Sequence, residues 1–492
     1  MTQPTTAIGV ETIDVEAVGK RETGKLYQKR VKIHPKRVYG TFRSLKWWVM
    51  AVTLGIYYIA PWLRWDRGPN APDQAVLIDF PARRFYFFFI EIWPQEVYYI
   101  TGLLIMAAMG LFLVTTVMGR AWCGYTCPQT VWTDLFLVVE RFVEGDRNAR
   151  IKLDRAPLSV TKFSKRTAKF AIWLVIAMGT GGAWVFYFAD APTLAKQLID
   201  FDAPTAAYIT IGILTATTFV LGGFAREQVC TYMCPWPRIQ GAMVDEDSLI
   251  VTYRAYRGEP RGPHKAGESW EGRGHCIDCN QCVAACPAGI DIRDGLQMEC
   301  ISCALCIDAC DTVMEKVDLP RGLINYDTLR NLASRGKADA DKTKILRPRI
   351  IVYAAVWLMV GLFMAYVLAS RSDLDINVLH DRNPVFVMLS DGSIRNGYTF
   401  KILNKAYIDR SFTLTTEGVP NAELSVVGAA DLTRGSAPIF TVEPDQLRSF
   451  RVFVAAPGAD LAGETAPIRF VLRELEKDTM ATYESIFRGP KR

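Results

Sequence analysis

Histidine is scarce in this chain of 492 residues: only His34, His264, His275 and His380 occur, and none falls within a long apolar run. A bis-histidine haem b inside a membrane is thereby excluded. No C-x-x-C-H follows any cysteine pair, which excludes covalent haem c as well. A glycine-rich G-x-G-x-x-G fingerprint opening a helix after a strand is also missing, so the chain has no visible nicotinamide or flavin entry point. Cysteine is absent from the last third, since all twelve lie between Cys123 and Cys310. The first 45 residues are polar and basic and lack a short apolar core with a small-residue cleavage site. This argues against a signal peptide and for an N-terminus that stays in the cytoplasm.

What is present begins with apolar surface. Half the residues are hydrophobic and the formal net charge is only +6, a balance that suits a membrane protein with sizeable soluble parts. Runs long enough to cross a bilayer occur at about 46–65, 97–118, 170–189, 207–224 and 350–369, which predicts five transmembrane helices. Basic residues crowd the N-terminal arm (Lys29, Arg30, Lys32, Lys36, Arg37), the segment after the second run (Arg147, Arg150, Lys152, Arg155, Lys165, Arg166) and the flanks of the last two (Arg226, Arg347, Arg349). By the positive-inside rule these segments face the cytoplasm. The clusters read as topology signals and contacts with membrane lipid, with no need of nucleic acid. The stretch Phe85 to Trp93 is too short and too charged to span and is expected to lie in the interface.

Residues 276–310 carry Cys276, Cys279, Cys282 and Cys286, then Cys300, Cys303, Cys306 and Cys310, which is C-x2-C-x2-C-x3-C written twice. The spacing is that of a ferredoxin with two 4Fe-4S clusters, whose fourth ligand crosses over. Cys276, Cys279 and Cys282 would then share a cluster with Cys310, and Cys300, Cys303 and Cys306 with Cys286. Zinc sites or a disulfide framework compete poorly, because zinc spacing lacks the third two-residue step. Pro287 follows the first quartet and Asp311 the second, a departure that affects the turn and leaves ligation untouched. His275, directly before Cys276, reads as an exposed loop residue. Reduced thiols and cluster assembly agree with a cytoplasmic position.

The remaining four cysteines repeat a second unit, C-x-Y-x-C-P. Cys123-Gly124-Tyr125-Thr126-Cys127-Pro128 follows the second apolar run, and Cys230-Thr231-Tyr232-Met233-Cys234-Pro235 follows the fourth, each after an arginine, Arg120 or Arg226. The equivalence reads as an internal repeat that brings both pairs together on one membrane face. Proline at the first helical position leaves the preceding cysteine near a helix N-cap, where orphan amides lower a thiol pKa. Such thiolates suit a soft ion such as Cu(I), with Met233 as a further soft ligand. Small buried packing residues, or a disulfide within each pair, are the competing readings. Tyr125 and Tyr232 are given no chemistry.

From about residue 371 the pattern changes to period two. Tyr398, Phe400 and Ile402, then Phe412 and Leu414, then Ile468, Phe470 and Leu472 alternate with residues such as Thr399, Lys401 and Thr413, between turns at Asp391-Gly392, Glu417-Gly418 and Pro457-Gly458. Antiparallel strands in a small immunoglobulin-like β-sandwich are predicted, without an inter-sheet disulfide. Five spans from a cytoplasmic start place this part in a periplasm. The expected fold class is therefore a multidomain membrane protein: a basic arm (1–45), four membrane helices with the two repeated motifs (46–240), a ferredoxin-like domain (241–349), a fifth helix (350–370) and the immunoglobulin-like domain (371–492).

This order of parts resembles the cytochrome c oxidase accessory protein family known as CcoG, FixG or RdxA, from roughly Tyr39 to the C-terminus. Its most specific strings are Cys276-Ile277-Asp278-Cys279-Asn280-Gln281-Cys282 and Glu299-Cys300-Ile301-Ser302-Cys303. The membrane pairs are shared more widely, with membrane polyferredoxins of the NapH and NosR type. The resemblance implies an inner-membrane protein of proteobacteria that reduces Cu(II) to Cu(I) for assembly of a cbb-type cytochrome c oxidase, at Cys123, Cys127, Cys230 and Cys234. Oxidase assembly factors or copper carriers are the implied partners, beside an electron donor that is not identified. The alternative is an electron relay or assembly scaffold, quinol-linked as in the NapH type, without copper chemistry.

Overall fold

The computed structural model describes residues 10, 12–15, 17, 31–68, 71–265, 267–334, 344–371, 374–427, 437–444, 446–458, 461, 463–476 and 479–490; Lys29 and Arg30 lie outside the described residues. The chain forms two compact units, Met1–Leu63 with Gln74–Met364, and Arg64–Asp73 with Ala365–Arg492. The membrane helices, the last of them as far as Met364, and the cysteine-rich segment thus fold as one body.

In the first unit four helices are long and apolar enough to cross a membrane: Pro94–Met118, Val160–Val185, Thr205–Ala225 and Pro348–Ala369. The first expected span is instead a helix, Thr41–Ile59, that carries two buried cations. Arg43 and Lys46 lie 2.8 and 3.7 Å from the Asp134 carboxylate, and their charges keep this helix outside that set. The third expected span starts at Val160, before the predicted 170, and ends at Val185. Ion pairing explains the extra turns: Lys169 sits 3.0 Å from Glu144 and 3.5 Å from Glu140, and Arg166 sits 3.1 Å from Glu144, so charged residues continue the helix. The Thr205–Thr218 helix runs on as a π-helical stretch, Phe219–Ala225. There Gly223 packs so closely on Trp173 that a Cβ would meet the indole ring at 2.8 Å. The stretch expected in the interface folds as strands Arg84–Phe87 and Ile90–Ile92, which complete a three-stranded antiparallel sheet with Val76–Asp79.

The cysteine-rich segment is built on an antiparallel strand pair, Ile250–Tyr253 with Ile324–Asp327, and two helices, Gln281–Ala285 and Leu305–Lys316. Its core joins Val251, Ile277, Val283, Ile307, Met314 and Ile324, and Val10 of the N-terminal arm belongs to the same cluster. Asp308 fastens it to the first helix. Its carboxylate accepts from the amides of Phe42 and Arg43 at 3.2 and 2.7 Å, satisfying donors that a helix N-terminus leaves unpaired.

The second unit contains two antiparallel sheets. One has Ser393–Asn404 at its centre, paired to Leu374–His380, Val387–Met388 and Gln446–Pro457, with Glu423–Val426 outside the last. The other orders Ile439–Val442, Arg410–Glu417, Thr465–Glu474 and Met480–Arg488. Tyr398, Phe400, Ile402, Phe412, Leu414, Ile468, Phe470 and Leu472, the alternating positions of the sequence, all lie in one core shared by both sheets.

Candidate metal centres

The two cysteine loops have the same backbone. Asp278 and Asn280 in the first take φ of 54° and 58°, and Ser302 and Ala304 in the second take 52° and 61°. Left-handed conformations at non-glycine residues are costly and persist only where the surroundings impose them. Here they coil each loop tightly enough for three cysteines to face one space. One cavity is lined by Cys276, Cys279, Cys282 and Cys310. A second is lined by Cys286, Cys300, Cys303 and Cys306, with Cys282 at the shared edge. These are the crossed sets.

Both cavities fit a cubane. Among the described residues no three Cys, His, Asp or Glu side chains close on a point as a single-ion site, so the thiols stand apart around a space. Backbone amides donate to the sulfurs: Gln281 to Cys279, Ser302 to Cys300, and Ala288 and Ile290 to Cys286. Such donors stabilise charge on thiolates. Burial, with Cys303 and Cys300 next, disfavours that charge and pushes the free Cys286 thiol up to about 12. Arg293, beside the first cavity, donates to Asp278, Asn280 and Asp291 and locks that loop. His275 is half-buried, not exposed as expected: Arg257 Nε donates to its Nδ1 at 2.9 Å.

The four remaining cysteines come from two distant segments. Cys127 is the N-cap of helix Pro128–Glu144, as the Cys-Pro step predicts. In the second copy the register slips by one, because Pro235 is the N-cap of Trp236–Met243 and Cys234 precedes it. Cys230 lies in a π-helical turn, Val229–Met233. The two pairs lie near enough for Cys123, Cys127 and Cys234, with Arg120, to act electrostatically on Cys230. Burial pushes Cys123 up to about 11 and Cys230 up to about 12. Cys123 is buried and donates to Gln240 Oε1 at 3.0 Å, whereas Cys234 is exposed. Met233 is 63% exposed, which leaves it open to solvent beside Cys234.

The first motif touches the second cluster loop. A Cβ on Gly124 would meet Ile301 O at 2.6 Å and Cys303 Cα at 2.9 Å, so only glycine permits this backbone contact. Arg120 donates to Met298 O in the same loop. Tyr125 lies beside Tyr326, whose hydroxyl donates to Ser302 O at 2.6 Å.

Several residues behind this arrangement were not legible as functional. Glu140, 2% exposed, binds Arg150 at 2.7 Å and Arg226 at 2.7 Å with Lys169 at 3.5 Å. Burial would raise its pKa, but Arg226, Arg150 and Lys169 hold it down to about 2. Arg150, Arg166, Lys32 and Arg226, read in the sequence as topology signals, are partners of buried or half-buried carboxylates. A sequence signal was there in the acidic residues Glu140 and Glu144, at i and i+4 in the helix that also carries Asp134.

Comparison with known proteins agrees with this geometry. A 4Fe-4S dicluster domain matches residues 225–329, a 4Fe-4S binding domain matches 100–143, and the IG-like fold at the C-terminal of FixG matches 364–490. The chain is 54% identical over 517 residues to nitrogen fixation protein FixG of Rhizobium meliloti (strain 1021), covering 99% of this chain and 98% of that one. Proteins RdxB and RdxA of Cereibacter sphaeroides are 52% and 50% identical, each across 95% of this chain and 98% and 99% of their own lengths. With that identity along nearly its whole length, the chain belongs to the FixG family of iron-sulfur proteins.

Proposed function

We propose that this protein is a membrane-bound iron-sulfur electron carrier that reduces Cu(II) to Cu(I) for assembly of a cbb-type cytochrome c oxidase. In this reading Cys276, Cys279, Cys282 and Cys310 hold one cluster, and Cys286, Cys300, Cys303 and Cys306 hold the other. Cys123, Cys127, Cys230 and Cys234 take copper as substrate. Bound 4Fe-4S clusters supply electrons singly, and Cu(II) needs one to become Cu(I). The observation that carries the reading is the backbone contact between Gly124, inside the first thiol motif, and Cys303 of the second cluster loop. Soft thiolates favour the reduced ion over the oxidised one.

Counting Thr41–Ile59 as a fifth crossing places the arm and the clusters on the cytoplasmic side of a bacterial inner membrane. The C-terminal immunoglobulin-like sandwich then stands in the periplasm, where it is available to oxidase assembly factors or copper carriers. The test is copper stoichiometry after Cys123, Cys127, Cys230 and Cys234 are changed to serine. The reading predicts loss of bound copper with iron content unchanged.

A second reading, an electron relay without copper chemistry, is favoured by one finding: the 4Fe-4S binding domain match at 100–143 includes Cys123 and Cys127. It predicts copper-independent behaviour and iron above the roughly eight atoms per chain of two cubanes, lost with the same four substitutions.

A further inference from the structure

Seven lysines and arginines are buried among the described residues, and six of them meet a carboxylate. Arg43 and Lys46 face Asp134, Arg150, Lys169 and Arg226 face Glu140, and Arg410 Nε donates to Glu474 at 2.8 Å. Arg120 is the seventh. It is 7% exposed, it donates to the Met298 carbonyl, its Nε is buried without a hydrogen-bond partner, and no carboxylate pairs with it among the described residues. Arginine is almost never buried alone, because an unpaired charge taken out of water is costly.

The repeat supplies a control. Arg120 follows the helix Tyr98–Met118 and Arg226 follows Thr205–Ala225, so each stands where a helix presents its carbonyl end, which favours a cation. That end does not stand in for a counter-charge at Arg226, which still takes Glu140 at 2.7 Å. Around Arg120 the acidic partner is replaced by sulfur. Its charge acts on Cys123 and Cys230 of the membrane-side quartet and on Cys300 of the second cluster loop. Arg120 is the N-cap of the short helix Ala121–Tyr125 that carries Cys123, and the carbonyl it holds belongs to the residue two before Cys300. A cubane on four thiolates is anionic and gains a further negative charge when reduced. Cu(I) on a pair of thiolates is anionic as well.

We propose that Arg120 is the counter-cation shared by the second cluster and the thiol quartet, offsetting the negative charge of the reduced cluster and of thiolate-bound Cu(I). The proposal rests on the reading of the quartet as the copper site and adds the residue that balances its charge. When one electron leaves the reduced cluster and Cu(II) becomes Cu(I), the cluster loses one negative charge and the quartet gains one. The same buried cation therefore stays balanced before and after the transfer.

The test is an EPR-monitored redox titration of the full-length protein in detergent, which gives both cluster potentials, beside Cu(I) affinity by competition with bicinchoninate. Cys286→Ser, which empties the second cavity, assigns the signals. In Arg120→Gln the second cluster should be about tenfold harder to reduce, or ~59 mV for one electron, with the first unmoved. Cu(I) should bind that variant about tenfold more weakly, the worth of one charge-assisted contact. Arg120→Lys keeps the charge and should hold both values near those of the native protein. A second-cluster potential that stays put, or moves equally with the first, overturns the proposal, and so does unchanged Cu(I) affinity in Arg120→Gln. If the glutamine variant loses iron, Arg120→Lys decides: native-like values support the role of the charge, and altered values or loss of iron overturn it. Failure of the copper reading looks different: the native protein and the variant with Cys123, Cys127, Cys230 and Cys234 changed to serine take up Cu(I) alike, and the second-cluster potential alone then decides the role of Arg120.

Discussion

The eight cysteines of 276–310 and the four of the C-x-Y-x-C-P motifs are chemically alike and differently housed. In the first region two short loops, each with a pair of left-handed residues, gather buried and half-buried thiols around small cavities and bond their sulfurs to backbone amides. In the second, the thiols come from segments more than a hundred residues apart and grade from buried Cys123 to exposed Cys234. Thiols gathered from all sides of one small space suit a cofactor that stays. A graded site, open at one end and joined to the cluster loop at the other through Gly124, suits something that arrives, is reduced and leaves.

That contrast can be broken at its strongest point by the crossed ligands. Cys310→Ser should empty the cavity of Cys276, Cys279 and Cys282, and Cys286→Ser the other, each lowering iron from about eight to about four atoms per chain. EPR of the two variants should show complementary losses; identical residual spectra would contradict the crossing. Next in size is Glu140→Gln, which leaves Arg150, Arg226 and Lys169 around a neutral side chain. Breaking a buried ionic network by one partner costs about 3–5 kcal/mol, visible as a lower unfolding midpoint in detergent. Because Glu140 is held down to about 2 in the folded protein, its contribution is present above the carboxylate's ordinary pKa and is lost as pH falls through about 2. A thermal-stability profile that Glu140→Gln flattens on the acid side checks that sign.

A smaller effect sharpens the link between the regions. Gly124→Ala forces a Cβ against Ile301 O and Cys303 Cα, and overpacking of this kind costs about 1–3 kcal/mol. The second cluster should become more labile to oxygen while the first is unaffected, as read by the decay of each EPR signal. Smallest is Met233→Leu: the side chain is exposed, so copper binding should change less than about twofold, a difference near 0.4 kcal/mol.

The octet was legible because cluster loops are local: three ligands within seven residues dictate one turn, and the crossing follows from the repeat. Strand alternation in the tail was legible for the same reason, since Tyr398, Phe400 and Ile402 share a face by period alone. Helix limits were less so. Arg43 and Lys169 fell outside the predicted runs, yet each is inside its helix because Asp134, Glu140 or Glu144, on another helix, cancels its charge. The membrane-side quartet was half legible. Its repeat announced a site, but the one-residue slip at Pro235, the burial that raises Cys123 and Cys230, and the contact of Gly124 with Cys303 are tertiary facts.

The central claim is that electrons from the cluster region reach copper at the membrane-side thiols. The most direct test is anaerobic Cu(II) reduction by dithionite-reduced, desalted protein, following cluster oxidation optically, beside the variant with Cys123, Cys127, Cys230 and Cys234 changed to serine. The account predicts Cu(I) formed in step with cluster oxidation and strongly slowed in the variant with its clusters intact. Equal rates in both proteins would contradict it.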